Sequence, residues 1–468
     1  MMDKLNFAIE YSNKIGAEFA EARAEDASRM QITLKDGEIK EITMDRLIGI
    51  GIKIIHKGAQ AYSFTSKFDK DSIKQIVEQA FKAAKVAAGS VKVPLKPLEY
   101  EGKSGTYSYN VKTHFDKVEP EKKKELVIRF YNTAKDIAKN VVQITSSYGE
   151  LFGRRYFLNS DGINYSLDIF LTGLNGRILS KVNGELIAHG ESEGAFAGFE
   201  YWTDVISIEK FATEAATILN KKQKAKAAPA GKFRALVENR LAGVLAHESF
   251  GHLTEGDFVM SNLSPLANKL GEKLGSESAT IIDEGTPKAG GFWLPIDDEG
   301  VRTTKTVLLD KGVLVGYLNS RETATMLDKK LTGNARAVSI RFPPIPRMKN
   351  TYFAPSDLKT EEKLELLKNG IYAVKTFGGQ VEMDGNFMFK TAYAYKVENG
   401  EITDMYKEAI LTGNILDFLK NIEGAFNDLK IYTSYFGGCG KGGQYPLPVG
   451  LGGPHLLLKE VHFGGEKT

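Results

Sequence analysis

Residues 29–44, RMQITLKDGEIKEITM, alternate Met30, Ile32 and Leu34 with polar side chains, turn at Asp36-Gly37 and resume through Ile39. An Asp-Gly pair between two alternating runs closes a two-residue β-hairpin. The pattern returns at Lys57-Gly58 in LIGIGIKIIHKGAQAYSF and again in VLLDKGVLVGYL. It recurs in FKTAYAYKVENGEITDMY, where Phe389, Thr391, Tyr393 and Tyr395 alternate. Parallel strands need a long crossover between them, so strands delivered in adjacent pairs build antiparallel sheet. Helical stretches intervene without regular βαβ alternation. The fold class that follows is α+β rather than doubly wound.

Four helices are predicted in the first half. DKLNFAIEYSNKIG puts Leu5, Ala8 and Ile9 on one face and offers Gly16 as a stop. DKDSIKQIVEQAFKAAKVAA keeps helical spacing through Ile73, Ile76, Val77, Ala80 and Phe81. EPEKKKELVIRFYNTAKDIAKN carries Pro120 in its first turn, and SIEKFATEAATILN forms the fourth. Between the second and third helices, GSVKVPLKPLEYEGKSGTY has no pattern and reads as a connection. The segment KKQKAKAAPAGK is charged, small and proline-bearing, as an interdomain linker is. The expected organisation is an N-terminal α/β domain over residues 1–222, a linker over 223–232, and a strand-rich, mainly antiparallel C-terminal domain over 233–468.

A length of 468 residues exceeds one compact core. Lys and Arg total 62 against 59 Asp and Glu, which gives no reason to expect a nucleic-acid or membrane-surface partner. The N-terminal helix is charged throughout and lacks a signal peptide's apolar centre. No stretch approaches the ~20 apolar residues that cross a bilayer. Cys439 is the single cysteine, so no intrachain disulfide forms. A cytoplasmic location fits these features best.

Residues 246–257 read AHESFGHLTEGD. His247 and Glu248 begin the zinc-protease pattern His-Glu-x-x-His, but Gly251 occupies the second histidine's place and His252 follows it. The preceding ENRLAGVLAHESF has helical spacing, with Asn239 as the expected N-cap. Residues five apart on a regular α-helix lie about 140° apart, so His247 and His252 cannot both reach one ion from it. They converge if the helix widens or ends between them. Gly251 permits a break through a positive φ, and a π-bulge would serve equally. Glu248 adds the carboxylate that a metal hydrolase needs beside its water. Without a metal, the two histidines are ordinary polar residues near a helix end.

A catalytic zinc takes three protein ligands and keeps a fourth position open. The candidates for the third are Cys439, His455, His462, Glu255 and Asp257. Cys439 lies in YFGGCGKGGQYP, among glycines that let backbone approach closely. Glu255 and Asp257 could instead orient the histidines. The GGCGKGG segment fails the phosphate-loop pattern, because Gly442 follows Lys441 where Ser or Thr is required.

Taken in order, these residues resemble the TldD/PmbA family of metallopeptidases, and specifically its metal-bearing TldD branch. The likeness covers nearly the whole chain: LKDGEIKEITMDRLIGIGIKII, HESFGHLTEGD, IIDEGT, PIDDEGV, KLTGNARA, PRMKNTYF and GGCGKGGQYPLPVGLGGPH. That family's motif is His-Glu-x-x-x-His, completed by a distant cysteine. The resemblance therefore implies zinc held by His247, His252 and Cys439, with Glu248 as general base. It implies a strand-rich C-terminal domain carrying the metal, and dimers, either with itself or with a metal-free paralogue. It also implies unfolded peptides or leader peptides as substrates, bound as an added strand. Family members have been described as modulators of DNA gyrase, yet the balanced charge does not support direct DNA contact.

The expected activity is zinc-dependent hydrolysis of peptide bonds in extended peptides. One alternative is a non-catalytic, peptide-binding regulatory subunit with a structural metal; a closed fourth position would mark it. Another is a zinc hydrolase of non-peptide amides, which a pocket too small for extended backbone would mark.

Overall fold

The computed structural model describes residues 1–91, 93–95, 100, 102 and 104–464. The chain opens with α1 (Met2–Lys14), β1 (Phe19–Lys35), β2 (Glu38–His56), β3 (Ala59–Thr65) and α2 (Lys70–Ala87). Asp36 and Gly37 take φ of 52° and 87°, the left-handed pair that this hairpin turn requires. From there β1 and β2 pair antiparallel out to Phe19↔Ile55. Next come β4 (Gly105–Tyr107), α3 (Pro120–Ile137), β5 (Val141–Asn159), β6 (Asn164–Val182), β7 (Glu185–Ala195) and α4 (Ile208–Lys222). The strands form one sheet in the order β3-β2-β1-β5-β6, with β4 and β7 both against β6.

The β4 strand corrects the sequence reading. It lies inside the stretch expected to be a plain connection and pairs parallel with β6. Three residues are too few to show alternation. The predicted helical faces are buried as spaced: Leu5, Ala8, Ile9, Ile73 and Val77 pack against Ala22, Ile52 and Ile54. Phe130 of α3 and Leu219 of α4 pack with Leu174 and Ile178 of β6.

The second half begins with β8 (Gly231–Val237). Pairing runs from Gly370–Val381 to β8, Leu456–Gly464, Ile410–Asn414 and Asn386–Glu398, and the last of these pairs back with the first. The five strands thus close on themselves. Only β8 with Gly370–Val381 is parallel in this ring. Both strand faces are covered: Ala235 and Val237 enter one core and Leu236 another. Hence Ala392 and Ala394 are as buried as the alternating Phe389, Thr391 and Tyr393 around them. A second sheet sets Asn350–Phe353 beside Gly450–Gly453 in parallel.

Two polar clusters lock the halves and the scaffold. Lys53 of β2 is buried between Glu21 of β1 and Glu299, joining the N-terminal sheet to the second half. Asp283, Asn334 and Lys349 come from three separate motifs and meet in one buried cluster. Asn334 Nδ2 donates to Asp283 at 2.9 Å, and Lys349 Nζ reaches Asp283 at 3.1 Å and Asn334 Oδ1 at 2.8 Å. Among the described residues, no helix is long and apolar enough to cross a membrane.

Candidate metal centre

The helix α5 (Asn239–Val244) carries the chain into the histidine motif. Its cap is Glu238, whose carboxylate accepts from the Arg240 amide at 3.0 Å. Asn239, expected to cap, is already helical and donates through Nδ2 to the carbonyls of Asp428 and Gly453, both at 2.8 Å. The residue before it has the extended backbone that a cap needs, with φ −75° and ψ 158°.

From Leu245 to Gly251 the helix widens to a π turn. The amide of His252 bonds the carbonyl of His247, a five-residue closure between the two histidines themselves. Their rings stand 5.3 Å apart at 82°. Gly251 keeps right-handed helical angles, φ −56° and ψ −49°, so the positive-φ route is not used. Its bare Cα is needed for another reason: a Cβ there would strike the Met348 sulfur. Met348 is fully buried, and its carbonyl accepts from Arg336 Nη1 at 2.6 Å.

Cys439 arrives on a short hairpin, Cys439–Lys441 against Gln444–Leu447. Its Sγ lies 3.2 Å from His252 Nε2. Ligand atoms of His247, His252 and Cys439 all fall within 4.8 Å of one another. Ligands about 2.0 to 2.3 Å from one tetrahedral ion are about 3.5 Å apart, so this set fits a shared ion. Both ring nitrogens of His247 are buried with no hydrogen-bond partner, and buried polar atoms are rarely left so. A cation in the cluster satisfies one of them.

The neighbours of the cluster are charged and ordered. Burial pushes the Cys439 thiol up, but His247 and His252 outweigh it and bring it to about 5. His252 Nδ1 donates to Glu255 Oε2 at 2.9 Å, leaving Nε2 facing Cys439. Burial would raise Glu255, yet His252 and Lys441 hold it at about 2. Lys441 Nζ reaches Glu255 at 3.0 Å, Asp257 at 2.6 Å and the Pro346 carbonyl at 2.9 Å. Lys441 thus fastens the cysteine hairpin to the segment just past the histidines. It stands two positions beyond Cys439, and its only local signal in the sequence is the failed phosphate-loop pattern.

The N-terminal sheet also seats the cysteine segment. Gly149, Gly173 and Gly194 pair across β5, β6 and β7 as one row. A Cβ on Gly149 would enter the Tyr435 ring, and one on Gly173 would meet Ser434. The bare row lets the chain leading to Cys439 lie directly on the sheet.

Arg240, Val244, His247 and Glu248 line one side of a cleft of about 190 Å³. Ser192 and Gly194 of β7 and Gly438 beside the cysteine also line it. The Glu248 side chain is 40% exposed, and its Oε2 lies 3.7 Å from His252 Nε2. Arg240 pins β7 over the cleft through Ser192 O at 2.6 Å and Glu193 at 3.0 Å.

The other third-ligand candidates lie elsewhere or act differently. His455 is engaged by Asp428 at 2.6 Å and Tyr372 at 2.8 Å. His462, on the ring strand Leu456–Gly464, pairs with Thr412 at 3.0 Å. Glu255 contacts a histidine as an orienting carboxylate, and Asp257 holds Lys441.

Three family models match the chain: PmbA/TldA metallopeptidase domain 1 over residues 20–84, its central domain over 113–223 and its C-terminal domain over 230–465. A metalloprotease of Methanocaldococcus jannaschii is 36% identical over 437 residues, covering 93% of this chain and 95% of that protein. This chain belongs to the TldD/PmbA family of metallopeptidases. A zinc metalloprotease TldD homolog of Saccharolobus solfataricus is 26% identical, with 98% of this chain and 99% of that one covered. The fold matches TldE from Thermococcus kodakarensis with a TM-score of 0.79 at 17% identity, covering 99% of this chain and all of that one. Relatives in the family are named metalloproteases, and the converged histidines and cysteine are this chain's candidate metal centre.

Proposed function

We propose that the chain is a zinc-dependent peptidase that hydrolyses extended peptides, with His247, His252 and Cys439 as ligands and Glu248 as general base. The observation that carries this reading is the π turn, which brings His247 and His252 beside Cys439 while leaving Glu248 open to the cleft. Two imidazoles and a thiolate are a donor set suited to zinc. Zinc bound there supplies a Lewis acid that acidifies water and polarises a carbonyl.

The protein's own groups do the rest. Glu248, at the cleft wall, takes the proton of the attacking water and delivers it to the departing amine. Glu255 fixes the His252 ring so that Nε2 faces inward. Among the described residues β7 pairs with β6 alone, so no strand covers its other edge beside the cleft, where Arg240 takes the Ser192 carbonyl and Lys222 that of Ala188. An extended peptide can add to that edge through its backbone, tolerant of side-chain identity. A folded substrate offers no such strand.

The balanced charge and single cysteine suit a cytoplasmic enzyme. We propose a dimer, with itself or a metal-free relative, as the working assembly. Elemental analysis of metal-replete protein tests the central reading. About one zinc per chain is expected, with hydrolysis of unfolded casein lost on chelation and restored by zinc. Protein that binds no transition metal, or cleaves equally after chelation, refutes it.

A further inference from the structure

Beyond the cleft at Glu248 lies a larger cavity of about 630 Å³, and the two share Ser192, Arg240 and Thr376 as walls. The cavity is bounded by β6 and β7, by the end of α4, and by the ring strands Gly370–Val381 and Asn386–Glu398. A peptide held at Glu248 therefore has open space to one side, in the seam between the two halves.

The charges of that seam are unevenly matched. Three carboxylates line it, and each is already committed: Glu185 to Lys407 at 2.5 Å, Glu191 to Lys375 at 2.7 Å and Glu408 to Lys390 at 2.7 Å. Two cations on the wall have no carboxylate partner among the described residues. Arg177 is exposed on β6. Lys222, at the end of α4, is only 3% exposed. Its Nζ donates to the carbonyls of Ala188 at 3.0 Å and Ala392 at 2.8 Å, which leaves one of its three donors unused. It sits 5.2 Å from the centre of the Phe377 ring. Beside it, His189 is fully buried with Nδ1 unpartnered.

A buried ammonium without a counter-ion is costly, and the usual remedy is an anion. Burial lowers Lys222 to about 8, with Lys390 and Lys407 adding to the effect and Glu408 offsetting only part of it. The wall combines spare donors with half-exposed Phe377, which suits a carboxylate on a short aliphatic stem. Divalent phosphate would demand more free cations than the two present.

We propose that this cavity is a substrate subsite that takes a carboxylate of the bound peptide, gripped by Lys222 and Arg177. The inference rests on the peptidase reading and adds a preference to it: peptides bearing a carboxylate at one fixed distance from the scissile bond bind best. The carboxylate comes from an acidic side chain or from the peptide's own C-terminus.

The test measures binding by fluorescence anisotropy, using zinc-loaded protein carrying Glu248→Gln so that no turnover intervenes. Labelled peptides are matched in pairs: Glu against Gln at successive positions, and free C-terminal carboxylate against amide. One pair should differ about tenfold or more in Kd, as a charge-assisted hydrogen bond gives. The pair that differs tells side chain from terminus. Lys222→Met and Arg177→Gln should each bring that ratio towards one; Arg177 is exposed, so its variant folds even if Lys222→Met does not. Equal affinity within every pair, or a ratio that survives Arg177→Gln and Lys222→Met alike, overturns the subsite. Because binding is read without cleavage, a protein that binds acidic peptides but never cleaves them refutes the peptidase reading and leaves the subsite standing.

Discussion

The Sγ of Cys439 lies 3.2 Å from Nε2 of His252, across 187 residues of sequence. Nothing covalent holds them together; the Lys441 ion pairs and the glycine row under Tyr435 do. A serine hydroxyl at position 439 is a poor zinc ligand. Cys439→Ser should lower zinc affinity by more than about a hundredfold, beyond what loss of an orienting partner costs. Competition against a chelator of known affinity reads this, with circular dichroism confirming the fold. Unchanged zinc affinity would remove Cys439 from the ligand set.

Lys441→Met should destabilise the protein by about 1 to 3 kcal/mol, because it leaves buried Glu255 with His252 as its remaining hydrogen-bond partner. Zinc affinity should fall as well, since the cysteine hairpin loses its tie. Adding Glu255→Gln to that variant should recover part of the stability, while zinc affinity stays low. Urea denaturation of the single and double variants measures the coupling.

Gly149 lies far from the metal in sequence, yet Gly149→Ala should weaken zinc binding. Its methyl pushes the Tyr435 ring away from the sheet, at a cost of about 1 to 3 kcal/mol. Tyr435→Leu in the same chain should relieve part of that loss. If Gly149→Ala binds zinc like the unaltered protein, the sheet does not position the cysteine segment.

Acid should unfold the protein partly through Glu191. Burial raises this carboxylate, but His189 and Lys375 pull it to about 2, below its ordinary 4.5. Burial keeps His189 below its own ordinary value, so at neutral pH the charge partner is Lys375. A depressed carboxylate stabilises above its unfolded pKa and loses that contribution as pH falls through the folded one. Glu191→Gln should therefore be less stable than the unaltered protein at pH 6, with the gap closing between about pH 4.5 and 2. Chemical denaturation at stepped pH tests this; a gap constant with pH would contradict it.

Much of the architecture was legible because hairpin turns leave strict residue signatures. Asp36-Gly37 and Lys57-Gly58 adopt the left-handed angles that their sequence implies. The five-stranded ring was not legible, since stretches of its strands, such as Ala235 to Val237 and Thr391 to Ala394, bury both faces and alternation marks only one. The histidine spacing required a distorted helix, and the π turn supplies it. What Gly251 does there depends on Met348, 97 residues away, and no local pattern reports such a contact. Asn239 looked like a cap because its residue type suits one; tertiary bonds to Asp428 and Gly453 claim it instead. Lys441 and the glycine row likewise act through partners remote in sequence.

The central claim is that Glu248 moves the proton in a zinc-dependent hydrolysis, and Glu248→Gln tests it most directly. The measurement is hydrolysis of unfolded casein by this variant, with zinc content determined on the same preparation. Glutamine keeps the shape but accepts no proton, so zinc should remain near one per chain while the rate falls by about 10²- to 10⁴-fold. A zinc-loaded Glu248→Gln protein that cleaves at the unaltered rate would contradict the account.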